Sequence, residues 1–391
     1  MKKKHILVIS QYFYPEQFRI NDICKEWVKR GYQVTVITGI PNYPSGSFFP
    51  GYDWFHKRKE EYGGGSVIRI PLIPRKKGSL MLALNYLSFV LSGGIWSLFT
   101  RIKADYVFIF EVSPMTQALP GVWYAKRRQI PCYLYVQDLW PDNVEIITGI
   151  HNKTIIGGID KMVQYVYKRC KLVFVTSQSF KETLEERNVP AEKVIYWPQY
   201  AEDFYQPVQK KKTNDAFTIV FTGNIGYAQG LDILPKAAEL LKEDNVSFLM
   251  VGDGRYKAEL EQEITERNLS EMFQFVGQVK AEEIPIYLAQ ADMAFVSFKD
   301  SPLFEKTIPA KLQSYMACGM PILAAANGET KRIIEEAECG VCTPLGDPVK
   351  LAETIRRFLQ NDDNEMRKNA VWFSNDNFAK KNLLDFIEQF F

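Results

Sequence analysis

Histidine is scarce in this chain, three in 391 residues, and cysteine numbers only six. His5, His56 and His151 are scattered, so neither a catalytic triad nor an imidazole metal cage can be read from them. Six cysteines over such a length build no disulfide framework, and the chain is expected to be reduced and cytosolic. Cys339 and Cys342 form a lone CxxC pair with no second pair or clustered histidine, and are read as structural. No metal is expected. An excess of charge is missing too: 48 Lys plus Arg face 46 Asp plus Glu, which excludes a global electrostatic attraction to nucleic acid. Lys2, Lys3 and Lys4 imitate a signal-peptide basic region, but Ser10 and Gln11 end the apolar run too early for secretion. Neither a fixed-period repeat nor a low-complexity tract occurs, which disfavours a solenoid.

What is present is ordinary globular material, 46% hydrophobic and 24% charged. At roughly 150 residues per domain the chain should hold two domains. Aromatic residues reach 14%, a surplus that suits core packing, stacking surfaces or a membrane-facing patch. Residues 80–100 carry no charge, with Arg75, Lys76 and Lys77 before them and Arg101 and Lys103 after. Asn85, Ser88, Ser92, Gly93, Gly94 and Ser97 dilute that run into a polar stripe. A partly amphipathic helix leaning on an anionic leaflet without crossing it is one reading, and a buried core helix is the other. Phe48, Phe49, Tyr52, Trp54 and Phe55 form a second apolar concentration, a candidate lipid-facing or acceptor-binding lip.

Short β-type runs alternate with helical patterns, as parallel α/β units do. Strands are expected at residues 5–10, 33–38, 106–110, 132–137 and 172–176, with a first helix at 17–30. A polar, basic stretch between Tyr205 and Asp215, including Lys210, Lys211 and Lys212, reads as a solvated interdomain linker. A second series follows, with strands at 217–222, 246–252, 273–277, 293–297 and 321–325 and closing helices at 350–360 and 378–391. The expected fold is α/β, two doubly wound Rossmann-like domains facing across a cleft. The first covers 1–205 and the second 206–375, with the terminal helix 376–391 packing back on the first. Open α/β sheets bind ligands at the carboxyl ends of their strands, so the motifs should gather there.

After the strand at 217–222 comes Gly223-Asn224-Ile225-Gly226-Tyr227-Ala228-Gln229-Gly230, a glycine-rich turn opening toward a helix. Its free amides suit an anion, or its glycines serve only the tight turn. The spacing is neither GxGxxG nor Walker A. A second turn, Gly252-Asp253-Gly254-Arg255, follows the next strand and adds a guanidinium suited to phosphate. Asp138 directly follows a strand, where a carboxylate favours function, and its alternative is to cap the next turn.

Further along, Glu305-Lys306-Thr307-Ile308-Pro309-Ala310-Lys311 leads into a helix that ends in Ala317-Cys318-Gly319-Met320-Pro321. With Gln137-Asp138-Leu139-Trp140-Pro141, Gly223-Asn224-Ile225-Gly226 and Gln229-Gly230, this string resembles the GT-B glycosyltransferases of family 4. The likeness covers essentially the whole chain and is strongest to bacterial O-antigen, capsule and exopolysaccharide transferases of the L-fucosamine-transferase type. It implies a retaining, metal-independent transfer of a sugar from a nucleotide sugar, expected to be UDP-linked, to a lipid-linked saccharide. Peripheral contact with the inner face of the cytoplasmic membrane follows from such an acceptor.

By motif position the resemblance implies a donor site of Gly223, Asn224, Gly226, Gln229, Gly254, Arg255, Val276, Gly277, Lys306, Lys311, Ser314 and Glu329. It implies Asp138 and Glu305 as catalytic carboxylates, and Glu16, Arg19 and Asn21 as acceptor contacts. Two departures stand out. Asn224 and Gln229 replace the Arg and Lys of many members, so Arg255, Lys306 and Lys311 must meet the phosphate charge. The Glu-x7-Glu pair is replaced by Lys306 and Ser314, with Glu305 one residue away. That loss favours a rival reading, a catalytically silent nucleotide- or glycan-binding partner of another transferase. A nucleotide-sugar epimerase would need paired acids and a histidine that the chain does not offer.

Overall fold

The computed structural model describes residues 4–76, 78–149, 152–211, 215–359 and 364–391. Lys2, Lys3, Lys77, His151, Lys212 and residue 360 of an expected helix lie outside them. The chain divides into two compact units. The first comprises the chain to Thr176, Phe180–Tyr196 and Phe391, and the second Ser177–Ser179 with Trp197–Phe390.

The first unit is built on strands β1 (His5–Ile9), β2 (Gln33–Thr38), β3 (Lys59–Tyr62), β4 (Gly65–Arg69), β5 (Tyr106–Glu111), β6 (Cys132–Val136), β7 (Leu172–Val175) and β8 (Val194–Tyr196). They form one sheet in the order β3-β4-β2-β1-β5-β6-β7-β8, parallel except for the β3-β4 hairpin. Strands β1, β5, β6 and β7 are almost continuous apolar runs, as a parallel sheet covered on both faces requires. The chain order reverses between β1 and β5, which makes the carboxyl ends of those strands the switch point of the sheet. The edge hairpin was not expected from the sequence. Its outer strand, Lys-Glu-Glu-Tyr, has charged rather than apolar alternation, and the turn glycines Gly63 and Gly64, both at positive φ, were its one legible signal.

The second unit holds β9 (Phe217–Thr222), β10 (Val246–Val251), β11 (Phe273–Gly277), β12 (Met293–Ser297), β13 (Ile322–Ala325) and β14 (Gly340–Thr343), all parallel, in the order β11-β10-β9-β12-β13-β14. This is the doubly wound nucleotide-binding order, and its switch point lies between β9 and β12. Two apolar clusters cover its faces, one around Ile219, Phe248 and Leu234 and the other around Val296, Tyr315 and Ile333.

The division falls between Tyr196 and Trp197, ahead of the expected 205/206 boundary, because the stretch after it is docked and not a free linker. Val208 N donates to Cys318 O (3.0 Å), and Lys210 pairs with the buried Asp292, so this lysine is not simply solvated. The terminal segment also differs from expectation. The helix Lys380–Glu388 groups with the second unit, where Trp197 Nε1 donates to Leu383 O (2.8 Å) and Lys380 pairs with Asp203. Phe391 alone is counted with the first unit, packed among Trp27, Tyr32, Tyr106 and Tyr133.

The uncharged run forms the helix Ser79–Phe99, and its polar stripe faces inward. Asn85 is fully buried, accepting from Gln11 Nε2 (2.8 Å) and donating to Ile73 O (2.6 Å). Ser88 Oγ accepts from Ile73 N, and Ser92 Oγ donates to Pro71 O. Gly93 lies so close to Pro120 that an added Cβ would meet its ring at 2.5 Å. The outward stripe is Leu80, Leu87, Leu91, Ile95, Leu98 and Phe99, each between 54% and 78% exposed. Among the described residues this is the one helix long and apolar enough to cross a membrane by length and composition.

Candidate active site

In the second unit the two glycine turns are one object. Gly223 N donates to Val251 O (2.9 Å), Ile225 N to Asp253 O (2.9 Å) and Tyr256 N to Ile225 O (3.1 Å). The contact is backbone on backbone: a Cβ on Gly252 (φ +146°) would lie 1.9 Å from Gly223 O, and one on Gly254 would lie 2.3 Å from Ile225 O. These glycines are therefore required by packing as well as by conformation. Ser297 Oγ, at the end of β12, donates to Gln229 O (2.5 Å), tying the first turn to the far side of the switch point. Tyr315, on the helix Ala310–Ala317, accepts at its hydroxyl from Thr222 N (2.8 Å), so that helix is pinned to the end of β9.

Lys311 reaches into this junction. Its Nζ donates to Gln229 Oε1 (2.7 Å), stands 3.8 Å above the Phe221 ring and comes within 3.7 Å of the Cβ position at Gly223. Lys311 is half-buried as a whole, its ammonium is desolvated by its surroundings, and among the described residues no carboxylate pairs with it. Burial alone lowers its pKa to about 7. A cation enclosed this way gains most from an anion, because the partner would repay its desolvation.

Gly223, Asn224, Gly226, Gln229, Gly254 and Lys311 are thus brought together. Arg255 is exposed at the second turn and makes no ion pair among the described residues. Val276 and Gly277 end the edge strand β11, beside β10, half-exposed. Glu305 is exposed, and its carbonyl lies against Gly328, where a Cβ would meet it at 1.9 Å. Lys306 is half-buried and its carbonyl accepts from Ser177 Oγ (2.6 Å). Two expected donor contacts are otherwise engaged. Ser314 is buried and bonds back to Ala310 O (3.3 Å), inside its own helix. Glu329, also buried, accepts from Ser179 N (2.6 Å) and pairs with Arg332 (2.8 Å). Phe221, Ser297 and Tyr315, which support the junction that Lys311 enters, carry no sequence signal of their own because they look like ordinary core residues.

In the first unit Asp138 follows β6 and is half-exposed. It does not cap the next helix, Asp142–Thr148, whose N-cap is Pro141. Its Oδ2 accepts from Ser113 N (2.7 Å) and Ser113 Oγ (2.8 Å), and that hydroxyl in turn accepts from Trp140 Nε1 and Asn143 Nδ2 (both 3.1 Å). The carboxylate is held by a neighbouring loop, with Oδ1 free of these bonds. Glu111 closes β5 beside it, fully buried, with neither Oε atom in a hydrogen bond. Burial first, and the Asp138 carboxylate second, push the Glu111 pKa well above the usual range. The amides of Asp138 and Gln137 lower it in part without reaching hydrogen-bond geometry. Its surroundings therefore favour the protonated form of Glu111 beside Asp138. It escaped the sequence reading although it is the single acid ending an apolar strand, the same signal that singled out Asp138.

Of the expected acceptor contacts, Glu16 and Asn21 are turned into their own loop. Glu16 accepts from Phe13 N (3.2 Å), Asn42 N (2.8 Å) and Tyr43 N (2.7 Å), while Asn21 accepts from Tyr14 N and donates to Glu16 O (2.7 Å). Burial raises the Glu16 pKa to about 7, with those amides lowering it in part. Only Arg19 is half-exposed. Among the described residues there is no group of three or more His, Cys, Asp or Glu that could hold a metal ion. The six thiols are free, and burial pushes those of Cys339 and Cys342 up to about 12.

Residues 204–371 match the glycosyl transferases group 1 family, and residues 17–199 match the glycosyl transferase 4-like domain. The chain is a GT-B glycosyltransferase of family 4. It is 28% identical over 349 residues to WcaI of Escherichia coli (strain K12), a protein named for glycosyl transfer in colanic acid biosynthesis, covering 83% of this chain and 84% of that one. Among solved structures this transferase has the fold of sucrose-phosphate synthase from Thermosynechococcus elongatus, at TM-score 0.75 and 18% identity, covering 99% of this chain and 98% of that one. It also shares the fold of Anabaena HepE, solved with UDP, at TM-score 0.69 and 16% identity, again over 99% and 98% of the two chains.

Gly252→Ala should cost about 3 kcal/mol of stability, since the added methyl meets backbone that cannot move aside; urea unfolding measures it. Glu111→Gln should raise the melting temperature at pH 8 and leave it unchanged at pH 4. The unfolded Glu111 ionises from about pH 4.5, and the folded one keeps its proton, so native stability falls as pH climbs toward the raised folded pKa. An equal change at both pH values would refute a proton held at Glu111.

Proposed function

We propose that this transferase moves a sugar from a UDP-linked donor to a lipid-linked saccharide during assembly of a bacterial surface polysaccharide. The observation that carries the reading is the enclosed Lys311 ammonium beside the joined glycine turns at the β9/β12 switch point. A diphosphate there would meet Lys311 and the exposed Arg255, with turn amides completing its hydrogen bonds and no metal required. Val276 and Gly277, ending the neighbouring strand, suit the nucleotide base. The UDP bound by HepE and the colanic acid pathway named for WcaI support the donor and the product class.

Retention follows if the departing phosphate takes the acceptor proton on the same face of the sugar, with Asp138 orienting the acceptor hydroxyl and Glu305 near the transferred hexosyl or N-acetylhexosaminyl group. The acceptor is held in the membrane, and the transferase works as a cytoplasmic protein at its inner face. The outward apolar stripe of Ser79–Phe99, between basic Arg75 and Lys76 at one end and Arg101 and Lys103 at the other, supports that peripheral contact. The rival reading, a silent nucleotide-binding partner, rests on Lys306 and Ser314 standing where the family keeps carboxylates, and donor hydrolysis by the pure protein separates the two.

Calorimetric titration with UDP, GDP and ADP, with and without magnesium, should show selective, magnesium-independent binding of UDP. Lys311→Ala should weaken it by about 1.5 to 3 kcal/mol. Because Lys311 starts with a pKa of about 7, UDP binding at pH 8 should take up nearly one proton, seen as a dependence of the heat on buffer ionisation enthalpy. Affinity should fall as pH rises above 7. Loss of affinity in Lys311→Ala without loss of the proton uptake would place that proton elsewhere. Asp138→Asn should lower kcat far more than donor affinity, and equal losses would mark the Asp138–Ser113 bonds as merely structural.

A further inference from the structure

Beside the outward helix lies an open groove of about 600 Å³, lined by Phe48, Trp54, Phe55, Ile73, Pro74 and Met81. Phe55 is 84% exposed, a cost in water that an apolar occupant would remove. Met81 belongs to Ser79–Phe99, so the groove runs into the apolar stripe of that helix next to Leu80. Two charged residues complete the lining. Asp53 is satisfied internally, accepting from Phe55 N, His56 N (both 2.7 Å) and the His56 ring (2.8 Å). Lys76 is exposed and makes no ion pair among the described residues.

The polar backbone around the groove decides the class of occupant. Ile73 N is taken by Ser88 Oγ (2.9 Å), Arg75 N by Asn42 Oδ1 (2.9 Å) and Lys76 N by Gly46 O (2.9 Å). Trp54 Nε1 is taken by Leu72 O (2.9 Å). A peptide laid here would bury amides with few partners, whereas a hydrocarbon chain needs none. Among the described residues that line the trough Lys76 is the one cation, which matches a chain that ends in one anionic group.

We propose that this groove binds the hydrocarbon chain of a membrane lipid carrying a phosphate, with Lys76 meeting the phosphate. The inference rests on the lipid-linked acceptor proposed above and locates where that lipid leaves the bilayer. The chain enters from the side of the exposed helix, and Trp54 and Phe55 close over it.

The test uses the full chain and soluble n-alkyl phosphates of increasing length, below their micelle concentrations, followed by calorimetry. Affinity should rise roughly fourfold per added methylene until the groove is full. Met81→Asp and Phe55→Ser should flatten that slope, and Lys76→Gln should weaken every length by the same few-fold factor. UDP titration of each variant reports that the chain is folded. Affinity independent of chain length, a slope unchanged in Met81→Asp, or binding to anionic vesicles without binding to the monomeric phosphates would each overturn the groove. Chain-length dependence without UDP binding by the unsubstituted chain would keep the groove and sink the UDP-donor reading, and the reverse would keep the UDP donor and sink the groove.

Discussion

The donor half of this molecule depends on the approach of one backbone to another, Gly252 against the carbonyl of Gly223. Because no side chain separates them, the turns after β9 and β10 share hydrogen bonds and move as one piece. Their position at the switch point sets the joined turns at the carboxyl edge of the sheet, while Tyr315 and Ser297 fix the neighbouring elements to the same edge. Lys311 can be enclosed only because those elements are already in place. A looser junction would let its ammonium escape to water, and its value as an anion ligand would shrink with the higher local dielectric.

Desolvation is the common cause behind the unusual groups. It lowers Lys311 to about 7 and raises Glu16 to about 7, and it is the largest cause at Glu111. The three are met differently. Glu16 receives backbone amides and braces a loop, Glu111 keeps its proton, and Lys311 has a neutral amide and an aromatic face. Of the three, only Lys311 is left in an arrangement that a ligand's charge would improve. The two carboxyls at the ends of β5 and β6 differ in their surroundings: Glu111 is sealed in the core without a hydrogen bond, whereas Asp138 is half-exposed and held by Ser113.

The helix Ser79–Phe99 is inverted relative to an ordinary surface helix. Its serines and asparagine satisfy the backbone of residues 71–73, an irregular segment that would otherwise bury unpaired groups, and its leucines are left outside. Such an arrangement costs exposed apolar area in water and becomes favourable against a hydrocarbon phase. With the groove beside it, the first unit presents a broad apolar surface bordered by lysine and arginine.

Much of this was legible in the residues. Apolar runs such as Ile-Leu-Val-Ile and Phe-Thr-Ile-Val-Phe announced the central strands, because a strand buried on both faces has no choice of composition. Glycine turns and strand-end acids marked the carboxyl edges where chemistry gathers, and the motif strings identified the family. The direction in which a helix turns its stripe was not legible, since periodicity reports that two faces differ and not which one has neighbours. Nor was the burial of Glu16, Ser314 and Glu329, whose motif positions suit a ligand while their side chains answer to nearby backbone. The local sequence by itself determined which segments are strands, turns and helices, through steric and hydrophobic terms that act within a few residues. Only the tertiary structure decided which polar groups are satisfied internally and which remain open to a ligand, because desolvation and hydrogen-bond pairing depend on partners far away along the chain.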